Sequence, residues 1–285
     1  MKKIVKENLL FLLIATAAFL EVPAIVYANP GVAAPSPFVE PLNLSRGKLS
    51  PGWGEGSIVS KEMYCDFMLN DWGWTNCEGV DGFVTYYRED IDTLVVSSPN
   101  SDGYVEFDDW HNAGRDDIIK EIRNELDVGL RAQGEQLGVE ISFANWVVYP
   151  TLNEEGRYLY YAFNTLWDGK VVTNIKASLF DRKGYVAFML VPVSENPSEG
   201  EVKDLVAAIA NGYTPVQAQS YAAFTSGDKI ATAGVVGVLA SLMGVKYGKG
   251  ILATITGIAL LVAKKFWFVL ILPLFWLKRF FKKSE

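Results

Sequence analysis

At 285 residues, half of them hydrophobic and 21% charged, the chain holds material for one sizeable domain plus further apolar segments. Its net charge of −7 hides an asymmetry: residues 29–228 carry 14 Lys and Arg against 30 Asp and Glu, whereas residues 229–285 carry 9 against 1. An acidic domain repels phosphate backbones, which argues against nucleic acid as a partner, and a basic, apolar tail points to the edge of a lipid bilayer.

Taken in order, the chain opens with Lys2, Lys3 and Lys6 ahead of an apolar core, Leu9–Leu20, and small residues around Ala28. That pattern predicts a signal peptide over residues 1–28, since 12 apolar residues fall short of the roughly 20 a membrane span needs. Residues 29–60, with Pro30, Pro35, Pro37, Pro41 and Pro51, have no period and read as a Pro/Gly-rich linker. Export makes Cys65 and Cys77, 12 positions apart, a reasonable disulfide. Two thiols and a single histidine do not make a metal site, so neither metal nor cofactor is expected.

A folded domain is expected over residues 61–228. A short helix is predicted around Lys61–Leu69, then strands at Gly82–Tyr87, Thr93–Ser97 and Tyr104–Phe107. Ile118, Ile119, Ile122, Leu126 and Leu130 recur at helical spacing, with Asn112 as a cap and Gly134 or Gly138 as a stop. Asp168-Gly169 predicts a tight hairpin between Tyr158–Trp167 and Lys170–Phe180, in which Trp167 faces Lys170 and Asn164 can bond Thr173. One hairpin face is apolar; the other mixes Leu159, Tyr161 and Phe163 with Asn174, Lys176 and Ser178 and reads as half covered. Strands at Ala144–Tyr149 and Tyr185–Pro192 flank it, and Ser198 with Glu201 forms a capping box opening a helix to Gly212. The fold class is α+β: an antiparallel sheet with two packed helices, plus a C-terminal transmembrane helical segment.

That last segment, residues 229–285, contains three apolar blocks, Ile230–Val245, Gly250–Ala263 and Phe266–Leu277, separated by lysines and closed by Lys278-Arg279 and Lys282-Lys283. It predicts a membrane anchor with one or three crossings and a basic cytoplasmic tail, so that the domain faces the periplasm from the cytoplasmic (inner) membrane. The expected partners are the bilayer and other envelope proteins.

Gly103-Tyr104-Val105-Glu106-Phe107-Asp108-Asp109-Trp110 resembles the signature of a bacterial membrane-anchored family known as domain of unknown function 2167. Trp146–Pro150 with Tyr158–Ala162, then Asn174–Gly184, then Gly227–Ala231 resemble three further blocks in the same order. Where the family has Tyr, Arg and Gly in its third block, this chain has Ile175, Ser178 and Asp181. The resemblance implies an extracytoplasmic domain with C-terminal anchoring and no known reaction. It also makes Asn174 and Arg182 candidate binding residues.

For chemistry, Glu106, Asp108 and Asp109 are the candidate catalytic acids; on a strand Glu106 and Asp108 share a face, as a glycoside-cleaving pair would. Acids just ahead of a helix also serve to stabilise its first turn, and that use is commoner. His111 lacks a Gly-x-Ser-x-Gly elbow to serve, and Asn100, Asp102 and Glu106 lack the dense acids of a calcium loop. Trp72, Trp74, Trp110, Trp146 and Trp167 suit cores as well as ligand faces. The function expected is an uncharacterised membrane-anchored envelope module for interaction or scaffolding rather than an enzyme. The alternative is a membrane-anchored hydrolase of envelope polysaccharide that uses the acidic cluster.

Overall fold

The computed structural model describes residues 35–52, 54–71 and 77–245. Its centre is an eight-stranded, wholly antiparallel sheet built from β1 (Ser36–Pro37), β4 (Gly56–Ile58), β5 (Val80–Tyr86), β6 (Ile91–Ser97), β7 (Ile141–Asn153), β8 (Tyr158–Trp167), β9 (Lys170–Asp181) and β10 (Gly184–Pro192). The spatial order is β1-β4-β5-β6-β10-β9-β8-β7. A small second sheet joins β2 (Leu42–Leu44), β3 (Gly47–Leu49) and β11 (Tyr213–Pro215) in the order β11-β3-β2. Four α-helices complete the described residues: α1 (Lys61–Asp66), α2 (Arg115–Leu137), α3 (Glu199–Gly212) and α4 (Val235–Leu242).

The hairpin forms in the expected register, with Trp167 opposite Lys170 and Tyr158 opposite Leu179. Asp168 and Gly169 take the positive φ values, 48° and 79°, that a tight hairpin turn demands. Across it Thr173 Oγ1 donates to Asn164 Oδ1 at 2.8 Å, which satisfies the two polar groups on the apolar face. That face, with Ala162, Ile175, Ala177 and Phe188, packs under α3 and the small sheet. Both halves of the capping box at Ser198 and Glu201 are made, and the buried stripe Val202, Leu205, Val206 and Ile209 is the side α3 lays on the sheet.

The opposite face is not half covered. Leu159, Tyr161 and Phe163 are fully buried, beneath α2 and α4. α2 brings Ile119, Ile122, Leu126 and Leu130 down as its spacing predicts, and stops at Gly138, whose φ of 70° suits a glycine terminator. Its N-cap is Gly114; Asn112 lies further out, and its carbonyl accepts from the Arg115 N–H.

Three further expectations are corrected. From residue 36 the proline-rich arm is folded: short strands fit between the prolines, and Phe38 and Leu49 are core residues. Tyr104–Phe107 is not a ladder strand, because it meets its neighbour through one isolated bridge before a 3-10 turn at Asp108–His111. The apolar block Ile230–Val245 contains α4, an eight-residue helix whose Val235, Val236, Leu239 and Ala240 are at most 1% exposed in the protein core. Its hydrophobicity therefore serves the sheet. Among the described residues no helix is long and apolar enough to cross a membrane. The expected signal peptide, Trp72, Trp74 and the blocks Gly250–Ala263 and Phe266–Leu277 lie outside the described residues.

Candidate functional site

Three of the four segments that carry the resemblance meet at one corner. Gly103 donates its N–H to the Lys183 carbonyl at 3.0 Å, Tyr104 donates to Lys229 at 2.8 Å, and Ala231 returns a bond to Tyr104 at 2.8 Å. Gly103 has φ of 129°, and a Cβ there would meet Ala231 N at 2.6 Å, so only glycine lets the two backbones run this close. Arg182 grips Asp228 with two nitrogens, at 2.7 and 2.8 Å. That fork, helped by the Thr225 N–H, holds the Asp228 carboxyl down to about 2. Together these contacts pin residues 225–231 to the β9–β10 turn.

Just beyond, α4 is held at both ends by side chains far away in sequence. Asp109 accepts from the Val235 N–H at 2.8 Å and the Val236 N–H at 3.0 Å, a carboxylate on the positive end of a helix. Burial raises its pKa, while those two backbone bonds oppose the rise. Gly234 makes room for it, since a Cβ there would run into the carboxylate. At the other end Lys176 Nζ, reaching up from the middle of β9, donates to the Leu242 carbonyl at 2.9 Å. Lys176 is 3% exposed, and loss of hydration pushes its pKa down to about 7. Beside it on the same face the Tyr161 hydroxyl and Ser178 Oγ are buried with no hydrogen-bond partner.

On the outer side of this corner lies a groove of about 490 Å³ walled by Tyr104, Arg157, Phe180, Tyr213, Tyr221 and Phe224. Its rings are packed in series: Phe224 to Tyr104 at 4.1 Å, Tyr104 to Tyr221 at 4.3 Å, Tyr221 to Phe107 at 5.2 Å. Tyr221 is fixed by donating its hydroxyl to the Val105 carbonyl at 2.7 Å. Arg157 lies over this array, its guanidinium carbon 5.2 Å from the Tyr221 ring and 5.7 Å from Phe107.

Of the candidate acids, Glu106 and Asp108 are exposed, while Asp109 uses both oxygens as the α4 cap. Asn174 is buried, its amide directed to Thr165 Oγ1 and the Val172 carbonyl, each at 3.4 Å. Arg182 is the clamp on Asp228. Cys65 and Cys77 are joined by a disulfide with a Cα separation of 5.1 Å. At the position where the third block departs from glycine, Asp181 is buried in a two-bond ion pair with Arg46, at 2.6 and 2.7 Å. His111 sits outside all of this, 3.4 Å from Glu154 on the surface.

The model of a family described as protein of unknown function (DUF2167) matches residues 57–275. The chain belongs to that family. No curated protein matches it. Among solved structures, cyanobacterial PsbP (CyanoP) from Synechocystis sp. PCC 6803 is similar over 68% of this chain and 100% of that one, at 14% identity and a TM-score of 0.32. In this DUF2167 chain three of those four blocks meet as a latch around residues 225–245.

Three residues of the site escape a reading of the sequence. Lys176 occupies an alternating position on what looks like a partly wet face, and only the α4 coverage makes it buried. Arg157 follows Glu154-Glu155-Gly156 in what reads as an ordinary turn; its signal is structural, a φ of 58° at a residue other than glycine. Tyr221 lies between the domain and the tail, in a stretch without period.

Proposed function

We propose that this protein is an exported interaction module tethered to the cytoplasmic membrane by its C-terminal apolar segment, with no reaction of its own. The observation that carries this reading is the latch: residues 225–245 are bonded to Tyr104, Asp109, Lys176 and Arg182 of the folded domain immediately ahead of the remaining apolar blocks. A tether attached there would transmit position and load to the sheet rather than to a loose linker. With α4 of the first block occupied in the core, blocks of 14 and 12 residues remain, enough for one crossing between them and too short for two full ones. The disulfide favours an oxidising compartment. The use of Asp109 as a helix cap speaks against the hydrolase alternative, since both of its oxygens are committed to the α4 backbone and Glu106 and Asp108 are exposed.

The test is fractionation of cells expressing the full chain, with mass spectrometry of its N-terminus and thiols, followed by in-cell crosslinking. The expected result is a membrane-bound protein cut after Ala28, with Cys65 and Cys77 resistant to alkylation until reduced, crosslinked to envelope neighbours. Soluble cytosolic protein with an intact leader and free thiols refutes it.

A further inference from the structure

The groove beside the latch has a feature that the tethering role does not use. Arg157 is held in the left-handed region, φ 58°, by a bond from the Phe180 N–H to its carbonyl at 2.8 Å. Such a backbone is unfavourable for a residue other than glycine and is characteristic of positions where a side chain must be aimed. Here it aims a guanidinium across Tyr221 and Phe107 at the rim of the groove. Among the described residues Arg157 makes no ion pair. Stacking leaves the donor edge of the guanidinium available for a planar anion.

We propose that this groove binds a carboxylate-bearing sugar, with Arg157 on the carboxylate and the ring array along the sugar. The volume of about 490 Å³ lies in the range of small-molecule sites. A single guanidinium at the groove, in a domain that carries 30 acids against 14 bases over residues 29–228, suits a singly charged ligand and disfavours phosphate polymers. Phenol hydroxyls among the rings suit a polyol better than an acyl chain. The proposal does not depend on the membrane tether, because it concerns binding by the folded protein alone.

The test is ligand-observed NMR and calorimetry on the purified full-length protein, with methyl glucuronide, methyl glucoside and benzoate as probes. Saturable binding of the glucuronide is expected, with a Kd on the order of 1 mM, and at least tenfold weaker binding of the glucoside and of benzoate. Arg157→Gln should lower glucuronide affinity about tenfold, as should Arg157→Gly, which suits the positive φ and so guards against misfolding as the explanation. No saturable glucuronide binding, equal binding of the glucoside, tighter binding of benzoate, or indifference to both Arg157 variants overturns the proposal.

Discussion

Replacing Lys176 with methionine should stabilise the protein, and by an amount that depends on pH. Lys176 is 3% exposed, and burial alone lowers its pKa from 10.5 to about 7. At about 1.4 kcal/mol per unit, that shift corresponds to about 5 kcal/mol of unfavourable charging in the native state. Because the native pKa is the lower one, the unfolded chain binds more protons between pH 7 and 10.5. Stability must therefore rise with pH across that window, and the full penalty applies below it. Methionine removes the penalty but forfeits the bond to the Leu242 carbonyl and the favourable cation at the end of α4, about 1–2 kcal/mol together. The expected net gain is about 3 kcal/mol at pH 6, vanishing or reversing near pH 10.5. Urea unfolding of both proteins, followed by tryptophan fluorescence from pH 6 to 10.5, reads this directly. A wild-type stability that is flat between pH 7 and 10, or a methionine variant less stable at pH 6, would refute the reasoning.

Other perturbations have equally definite outcomes. Asp109→Ala leaves the Val235 and Val236 N–H groups without acceptors and should cost about 1–2 kcal/mol, read as faster hydrogen exchange in α4; Asp109→Asn should cost less. Arg46→Met strands the Asp181 carboxylate, which is 1% exposed, and should destabilise by about 3–5 kcal/mol in the same urea assay. Replacing Cys65 and Cys77 together by serine should remove about 3 kcal/mol, the chain-entropy value for a short loop, and reducing agent should do the same to the unaltered protein.

How far the sequence foretold this structure depended on how local the causes were. The hairpin at Asp168-Gly169 and the capping box at Ser198 are set by residues within a few positions of each other, and both form as expected. α4 was misassigned for the opposite reason. Hydropathy measures a preference for leaving water and does not distinguish lipid from a protein core, so Ile230–Val245 looked like membrane. What identifies it as a core helix is Asp109 at one end, 126 positions before Val235, and Lys176 at the other, 66 positions before Leu242. Likewise Asp109 looked catalytic because an acid in a motif has the same letters whether it meets a substrate or a helix. Arg157 was invisible because only a backbone angle distinguishes it from a solvated turn residue.

The small sheet has a practical consequence. β3 pairs with β11, so Gly47 lies against Pro215, and Arg46 reaches Asp181 across 135 positions. A fragment begun at residue 57, where the family match starts, would discard β2, β3 and Arg46 and so uncover Tyr213 and orphan an interior acid. It would precipitate or misfold for reasons unrelated to any biology. Dissection of this protein has to keep the polypeptide from residue 36 onward, because β3 meets β11 only through residues 213–215, at the far end of the domain.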